Sequence, residues 1–466
     1  MIPARLEAVL TDGTPARKLA TLFDQAGHRL FLVGGSVRNA LLDRPIADLD
    51  FATDARPDEI ERLVAPWASD VYLAGKQFGT VGVIKDGQVH EITTFRSEVY
   101  HDDSRKPEVV FSDNIDEDLS RRDFTVNAMA LRIPTDGSST PEMIDPTGGL
   151  ADLQVRTLRT PLDPEISFGD DPLRMLRLFR FVSTLGFAPS EDAMSAVRGM
   201  HDRLEIVSRE RINGELDRLL IGDHVGPALA GLVDTGLAGE FIPELPALAL
   251  EADPVHHHKD VLAHTIAVVE KASPRLRLRL AALFHDIGKP DTREFGPGGV
   301  SFHHHEVVGA RLTKRRMSEL RYPKAMTEDV SRLVFLHMRP HTYKMGWTDS
   351  AVRRYVRDAG PMLDDLNELV RSDVTTRNEK RARAIAGRID ELEGRIDELR
   401  QQEELDAMRA PIDGNQVMEY LGLEPGPEIG KIMDMLLEKR IEDGPYSEEE
   451  ALAMLDEWGR GQSSSD

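Results

Sequence analysis

The chain has 466 residues, of which 40% are hydrophobic and 30% are charged, and its formal net charge at pH 7 is −23. A protein that coats nucleic acid without sequence preference is normally basic, so this charge argues against that class but leaves room for a local basic groove. The sequence has no cysteine, which excludes disulfides and thiolate zinc sites. No apolar run approaches the roughly 20 residues that span a bilayer, and the N-terminal residues lack a signal-peptide layout. We therefore expect a cytoplasmic protein of several domains without a membrane partner.

The first chemically informative stretch follows an amphipathic helix pair that we predict for residues 1–29. Residues 31–38 begin as a short apolar strand, turn on Gly34 and Gly35, and continue as a helix with Arg38 near its start. Glycine lets the backbone approach a triphosphate without a Cβ in the way. Backbone N–H groups at a helix start favour anions. The pattern therefore predicts a site for nucleotide phosphates.

Two acids follow this turn. Asp48 and Asp50 stand at positions i and i+2 of an extended segment, so their side chains leave the same face. Two such carboxylates can hold Mg²⁺, which prefers oxygen ligands, and would there activate a hydroxyl and stabilise a leaving pyrophosphate. A glycine pair or an acid pair alone is also typical of an ordinary strand–helix turn with a solvated strand end, so the interpretation depends on their order and spacing.

The stretch up to about residue 160 predicts a strand-rich α/β region. Residues 71–73, 81–84 and 89–95 have strand patterns, and Lys85-Asp86-Gly87-Gln88 predicts a hairpin turn. Glu91 could point at the same metal site as the two aspartates, or it could be an edge-strand charge.

A helical region begins near residue 170. Asp171, Arg174 and Arg177 are spaced i, i+3, i+6, which predicts one polar helix face. An apolar stripe formed by Leu173, Leu176 and Phe179 is typical of core packing. From the residues alone, the polar face is equally typical of a solvated, salt-bridged surface.

A second group of chemistry-bearing residues lies between residues 250 and 376. Imidazoles and carboxylates on separate helices are what a buried divalent metal site in a helical bundle requires. The candidate ligands are His264, His285, Asp286 and Asp373.

Residues 377–408 predict a charged helix with apolar residues at alternating spacings of four and three. This pattern is typical either of a coiled-coil-like hairpin arm or dimer contact, or of a single amphipathic helix lying on its own domain. The apolar positions are Ile385, Ile389, Leu392, Ile396 and Leu399.

Two motifs resemble those of one family. The pattern LVGGxVRxxLL…DxDxxT at residues 32–53 is similar to the signature of class II CCA-adding enzymes and bacterial poly(A) polymerases, and RRDFTxNAMA at residues 121–130 resembles their second motif. It is not a Walker loop, because no Gly-Lys-Ser/Thr follows. The resemblance implies a nucleotidyltransferase in which Asp48 and Asp50 carry Mg²⁺ and are catalytic.

The same resemblance implies further roles in binding the nucleotide. Gly34 and Gly35 would admit the phosphates, and Arg38 and Arg122 would neutralise them. Asp171 and Arg174 would read the incoming base, so that the protein acts as the template, and Arg177 and Arg180 would line the pocket. The polar loop at 100–107 favours full CCA addition over addition of CC alone. The implied partners are a tRNA 3′ end, CTP and ATP.

The histidine and aspartate pattern between residues 264 and 373 resembles the HD phosphohydrolases. It implies a divalent metal of unspecified identity and hydrolysis of 2′,3′-cyclic or terminal phosphates. HD hydrolases with two metals carry further ligands at the positions of His305 and His337. HD domains of this kind can also be degenerate. A poly(A) polymerase of the same family is one alternative function, and an HD-type phosphohydrolase with a nucleotide- or RNA-binding head is an alternative of another class.

The predicted fold class is α+β, with a mixed α/β nucleotidyltransferase head followed by an all-helical neck, HD body and tail. A homodimer through the charged helix is a further expectation. The predicted boundaries are 1–29 for an N-terminal helical segment, 30–163 for the head, 164–225 for the neck, 226–376 for the body with an HD domain from about 254, 377–409 for the arm, 410–460 for the tail, and 461–466 for a disordered end.

Overall fold

The computed structural model describes residues 4–46, 48–99, 108–135, 141–250, 260–296, 299–375, 379–403 and 409–463. The chain divides into two compact units, Met1–Pro243 and Glu244–Asp466. The loop predicted at 100–107 lies outside the described residues. Among the helices that are described, none has the length and apolar character needed to cross a membrane.

The first unit combines a sheet with helices. Its described helices are α1 (Ala4–Leu10), α2 (Pro15–Gln25), α3 (Gly35–Leu41), α4 (Pro57–Val64), α5 (Ile115–Ser120), α6 (Gly149–Val155), α7 (Pro164–Asp170), α8 (Leu173–Leu185), α9 (Glu191–Met200), α10 (Arg209–Leu220) and α11 (Val225–Asp234). Its described strands are β1 (Leu30–Val33), β2 (Leu49–Thr53), β3 (Asp70–Tyr72), β4 (Thr80–Lys85), β5 (Gln88–Thr94), β6 (Arg96–Val99), β7 (Glu108–Phe111), β8 (Ala130–Arg132), β9 (Glu142–Ile144), β10 (Thr157–Leu158) and β11 (Ala188–Pro189).

The head is built on a mixed sheet with the strand order β3-β4-β5-β2-β1-β8-β9. All of its neighbouring strands are antiparallel except β2 and β5, which run parallel. The apolar strand β1 is buried along its whole length at the centre. The predicted strands and the turn between β4 and β5 are confirmed, with Asp86 and Gly87 at positive φ, as a tight hairpin turn requires.

The polar face predicted across Asp171, Arg174 and Arg177 is interrupted, which corrects the expectation of one helix. α7 ends at Asp170, Asp171 is extended with φ −138° and ψ 98°, and α8 begins at Leu173. Pro172 explains the break, because proline disfavours helical backbone in the residue before it. Asp171 instead accepts a hydrogen bond from the Leu173 backbone N–H at 3.2 Å.

The apolar stripe of α8 forms core, as predicted: Leu173, Leu176 and Phe179 are buried. α8 packs against α10 and α11, so α11 belongs with the helices of the first unit, although the sequence places the end of the neck at residue 225. A short parallel pair of β10 with β11 lies among these helices.

The second unit is mainly helical. Its described elements are α12 (Val261–Lys271), α13 (Leu276–Phe284), β12 (Arg293–Gly296), β13 (Gly299–Phe302), α14 (His305–Glu319), α15 (Lys324–Leu336), α16 (Asp349–Ala359), α17 (Leu363–Asp373), α18 (Glu379–Glu403), α19 (Gly414–Leu421), α20 (Pro427–Asp443) and α21 (Glu448–Ser463). α13 packs against α12, α15 and α17. α21 continues to Ser463, three residues into the end predicted to be disordered, and residues 464–466 lie outside the described part.

The charged arm is a single helix, α18, lying on its own unit. Ile389, Leu392, Ile396 and Leu399 are each at most 4% exposed, and α18 packs against α16 and α17. The second of the two interpretations is therefore the one the structure has. These four residues of the stripe are covered within the unit, whereas Ile385 is only partly buried, and a homodimer through this helix stays a prediction.

We predict that Leu392→Ala lowers the free energy of unfolding of the second unit by about 2–4 kcal/mol, because the truncation removes buried contacts and leaves a cavity. Urea unfolding followed by circular dichroism measures this change. Arg388→Ala, on an exposed position of the same helix, is the matched control and should have little effect. An unchanged stability accompanied by a change of oligomeric state would contradict the assignment.

Candidate functional site

The glycine turn and the acidic strand are joined by one side chain. The Ser36 hydroxyl, in the first turn of α3, donates to the Asp48 carbonyl at 2.9 Å and accepts from the Asp50 backbone N–H at 3.1 Å. Gly34 has φ +67°, and a Cβ there would lie 3.0 Å from Arg122 Nη1. The turn therefore needs glycine both for its backbone conformation and for the close approach of an arginine. The motif contains Ser36, but only the fold shows that it bridges the two elements.

The two predicted catalytic acids differ in exposure. Asp50 lies in β2 and is partly buried, whereas Asp48 immediately precedes the strand and is exposed. Glu91 of β5 is the direct neighbour of Asp50 in the parallel register. Burial, followed by the nearby Glu91 carboxylate, raises the pKa of Asp50 to about 6, against the opposing effect of Arg122. The acids thus form a crowded anionic cluster on one side of the site.

A buried arginine faces these acids. Arg38 is 9% exposed, its guanidinium donates to the Asn39 and Asn127 side-chain oxygens, and it lies 5.2 Å from the Phe181 ring centre. Burial lowers the pKa of Arg38 to about 10, so the side chain stays charged at neutral pH. The sequence did not identify Phe181, whose ring also lies 4.0 Å from the Arg180 guanidinium.

Asp118 holds the arginine pair of the second motif. This aspartate is fully buried, and its two oxygens bind Arg121 at 2.6 Å and Arg122 at 3.0 Å. Burial alone would raise the pKa of Asp118, but the two guanidinium groups hold it below its usual range. Arg122 Nε is buried and has no hydrogen-bond partner among the described residues.

Asp123 forms hydrogen bonds with a second set of polar side chains in the site. It accepts from the Asn127 amide at 2.9 Å and from Arg177 Nε at 3.0 Å. Burial opposes its ionisation, yet Arg177 and Asn127 hold the pKa of Asp123 well below its usual range. The buried Glu215 carboxylate pairs with Arg180 at 2.8 Å and with Arg177 at 3.3 Å. Glu215 thus braces both arginines.

The residues predicted to read the base are fixed by their neighbours. Arg174 donates to the Ser167 hydroxyl at 2.9 Å and to the Arg121 carbonyl at 2.6 Å. Asp171 Oδ2 lies 2.8 Å from Arg211 Nη2. Arg211 and Arg121 are further site residues that the sequence analysis did not assign.

One cavity of about 490 Å³ brings most of these side chains together. Of the catalytic and nucleotide-binding residues predicted from sequence, its lining contains Gly34, Gly35, Arg38, Asp50, Arg122, Asp171, Arg174, Arg177 and Arg180. Asp48 is not part of the lining. The cavity has an acidic edge and a strongly basic wall, which suits a triphosphate and its cation.

The second unit has two groups of converging metal-type ligands among its described residues. The first comprises His264, His285 and Asp286, and the second comprises Asp286, His305 and His337. Asp286 belongs to both groups. Asp373 Oδ1 lies 2.9 Å from His264 Nε2 and 3.7 Å from His285 Nε2, so the structure brings together all six residues predicted from sequence.

Each of the four histidine rings is oriented by a hydrogen-bond partner at its Nδ1 atom. Nδ1 of His285, His305 and His337 lies within 2.9 Å of the carbonyl oxygen three residues earlier in the chain. His264 Nδ1 lies 2.7 Å from the Thr375 hydroxyl. A histidine whose Nδ1 donates to such an acceptor presents Nε2 as a free ligand. The four Nε2 atoms are therefore directed towards Asp286 and Asp373.

This donor set fits divalent metal ions. Imidazole nitrogens with a bridging carboxylate suit transition metals such as zinc, iron or manganese. Burial lowers the pKa of His337 to about 3 and also lowers that of His305, which keeps both rings neutral, as metal ligation requires. Lys289 Nζ, at 2.6 Å from Asp286 Oδ2, adds a cation beside the site that the sequence analysis did not single out.

We predict that, without metal, Asp50→Asn is more stable than the wild type above pH 6. Asp50 has a pKa of about 6 in the folded chain and about 3.9 when unfolded, so its protonated form stabilises the fold below pH 4 and this contribution is lost as the pH rises through about 6. The gain in free energy of unfolding should be about 1–3 kcal/mol at pH 8 and vanish near pH 4. Thermal melts in EDTA measure it. The exposed Asp202→Asn should show no such dependence, and a gain independent of pH would contradict the burial of Asp50.

Family comparisons cover most of the chain. Residues 30–159 match the poly A polymerase head domain, and residues 186–248 match the probable RNA and SrmB-binding site of polymerase A. Residues 257–393 match the HD domain. These three matches follow the order of head, neck and HD body inferred from the sequence.

Curated relatives match over different lengths. A CCA-adding enzyme of Anoxybacillus flavithermus is 43% identical over 220 residues, which is 47% of this chain and 53% of the relative. This chain thus spans about half the length of the first relatives it matches. An A-adding tRNA nucleotidyltransferase of Deinococcus radiodurans is 33% identical over 440 residues, which is 92% of this chain and 95% of the relative.

Solved structures confirm the predicted fold class. The Bacillus stearothermophilus CCA-adding enzyme in complex with CTP aligns with a TM-score of 0.70 over 97% of this chain and 98% of its own, at 24% identity. The Thermotoga maritima CCA-adding enzyme complexed with tRNA aligns with a TM-score of 0.61 over 98% of both chains, at 17% identity. From the near full-length relative and the three domain matches, the chain belongs to the class II CCA-adding enzyme and bacterial poly(A) polymerase family, with an HD domain following the head.

Proposed function

We propose that this chain adds CCA to the 3′ ends of tRNA from CTP and ATP, by Mg²⁺-dependent attack of the tRNA 3′-hydroxyl on the nucleotide α-phosphate. The observation that carries this proposal is the single cavity that joins the glycine turn, Asp50, the buried arginines and the Asp171–Arg174 pair. The CCA-adding activity named for several relatives supports it. A cytoplasmic location and the finer domain boundaries are further proposals that rest on the sequence.

The acidic edge of the cavity would hold the cation. Asp48 and Asp50 offer carboxylate oxygens, the ligands that Mg²⁺ prefers. Burial, followed by the nearby Glu91 carboxylate, raises the pKa of Asp50, and a cation would relieve the repulsion between these acids. When bound, Mg²⁺ would acidify the attacking hydroxyl and offset charge on the pyrophosphate.

The basic wall would bind the triphosphate. Gly34 and Gly35 leave room for the phosphates, and Arg38 and Arg122 supply fixed positive charge. Because Asp118 already orients Arg122, and the side-chain oxygens of Asn39 and Asn127 orient Arg38, little reorganisation is needed when the nucleotide binds.

Asp171 and Arg174 would select the base. Arg174 is 8% exposed and is held by Ser167 and the Arg121 carbonyl, so its direction is set before a nucleotide enters. A fixed guanidinium and a fixed carboxylate can offer hydrogen bonds to the Watson–Crick edges of cytosine and adenine. Arg177 and Arg180 would complete the pocket.

A second candidate is addition of the terminal A alone. The relative that matches this chain over nearly its whole length is named an A-adding tRNA nucleotidyltransferase. The polar loop at 100–107, which favours full CCA addition by resemblance, lies outside the described residues. A poly(A) polymerase of the same family is the remaining alternative.

The HD unit would act as a phosphohydrolase on 2′,3′-cyclic or terminal phosphates. His264, His285, Asp286 and Asp373 would hold one divalent ion, and Asp286 with His305 and His337 would hold a second. Lys289 adds positive charge beside Asp286, which suits an anionic substrate.

We predict that Asp48→Ala lowers nucleotide addition by at least about a thousandfold, because it removes a ligand of the catalytic cation. The assay uses Mg²⁺ and tRNA that ends before CCA, with CTP alone, ATP alone or both, and tRNA ending in CC with ATP. The proposal predicts two added residues with CTP, three with both, and then a stop. Addition confined to A on the CC end would favour the A-adding candidate, and a long ladder with ATP alone would favour poly(A) polymerase.

Asp286→Ala is the matched control in the other unit. It should keep nucleotide addition but abolish metal-dependent hydrolysis of 2′,3′-cyclic AMP, whereas Asp48→Ala should do the reverse. Hydrolysis without any nucleotide addition by the wild type would contradict the proposal for the head and favour a phosphohydrolase with a binding head.

A further inference from the structure

We propose that Tyr72 is a positioning residue of the head, whose hydroxyl holds Glu91 beside Asp50 and so sets the metal-binding acids. This inference rests on the proposed nucleotidyltransferase function. It also gives Glu91, which the sequence left between a metal-site acid and an edge-strand charge, a place in the site.

Four residues form one row across the sheet. Tyr72 of β3 pairs with Gly82 of β4, Gly82 pairs with Glu91 of β5, and Glu91 pairs with Asp50 of β2. Directly opposed residues of neighbouring strands have their side chains on the same face. The row therefore carries two acids at one end and a tyrosine at the other, separated by a strand position without a side chain.

Gly82 is what lets the tyrosine reach the acids. A Cβ built on Gly82 would lie 1.9 Å from Tyr72 Cζ and 2.1 Å from Cε1, so the phenol ring lies directly over this glycine. The ring crosses β4 in this way, and its hydroxyl donates to Glu91 Oε1 at 3.3 Å. Any larger residue at position 82 would displace the ring.

The charges of the row explain why a tyrosine hydroxyl suits this position. Glu91 is exposed, and after burial its carboxylate is the largest cause of the raised pKa of Asp50, so the two like charges lie close enough to repel each other. A tyrosine hydroxyl is a neutral donor, and here it donates to Glu91 Oε1. A neutral donor fixes Glu91 without supplying a positive charge that would compete with the cation. Outer partners of this kind orient the ligands of metal sites.

The test adds Tyr72→Phe to a full-length parent protein that carries His285→Ala and His337→Ala. These two substitutions remove histidines of the HD site, so that this site takes up no ion. Mn²⁺ binding is measured by electron paramagnetic resonance, and the Mg²⁺ concentration for half-maximal CTP addition is measured alongside. We expect both to weaken by roughly tenfold, the lower end of the range for loss of an outer partner. On a Glu91→Gln background, Tyr72→Phe should have no further effect.

Tyr420→Phe is the matched control, because that hydroxyl donates to the Asp456 carboxylate at 3.1 Å in the tail of the second unit. It should change neither measurement. Gly82→Ala is a second variant that keeps the hydroxyl but displaces the ring, and it should reproduce the loss seen in Tyr72→Phe. Circular dichroism checks that each variant is folded.

Two results would overturn the inference. One is unchanged metal binding and Mg²⁺ dependence in both Tyr72→Phe and Gly82→Ala. The other is a raised KM for tRNA without a change in metal binding, which would make Tyr72 a contact for RNA. If the wild type adds no nucleotide but Tyr72→Phe still weakens Mn²⁺ binding, the proposed function fails while the positioning role holds.

Discussion

Like charges held close together are the constraint on which the head depends. Asp50 and Glu91 are neighbours in the sheet register, and Asp48 lies two residues before Asp50 in the chain. The carboxylates of these three acids therefore repel one another. Burial and then this repulsion raise the pKa of Asp50. A cation in the site would relieve this repulsion. The Ser36 bridge and the Tyr72 contact hold these acids in place before a cation binds.

The arginine-rich wall of the cavity brings like positive charges close together. Three partly buried arginines of the cavity each have a buried acid beside them: Asp118 holds Arg122, Asp123 holds Arg177, and Glu215 holds Arg180. These acids orient the guanidinium groups, whose positive charge remains available to the phosphates of a nucleotide. This arrangement explains how a chain with a net charge of −23 can present a basic cavity.

The short motifs predicted which side chains the structure brings together better than they predicted the local backbone. The glycine turn, the acid pair and the six HD residues are local signals, because backbone freedom, strand periodicity and ligand type are readable in short stretches. The break at Asp171–Pro172 was missed because the helical spacing of the arginines outweighed the effect of proline. The stripe of α18 was ambiguous because the spacing of Leu392 and Ile396 does not say which surface covers them. Tyr72 carried no signal, since its role comes from strand register and a glycine ten residues away.

The central claim is that one cavity holds a metal-bound nucleoside triphosphate between Asp50 and the arginine wall. The most direct measurement is anomalous diffraction from crystals grown with Mn²⁺ and a non-hydrolysable CTP analogue. The account predicts a manganese peak bound by Asp48 and Asp50, with the phosphates at Gly34 and Gly35 and the cytosine beside Asp171 and Arg174. Manganese confined to the HD ligands, with the nucleotide outside this cavity, would contradict it.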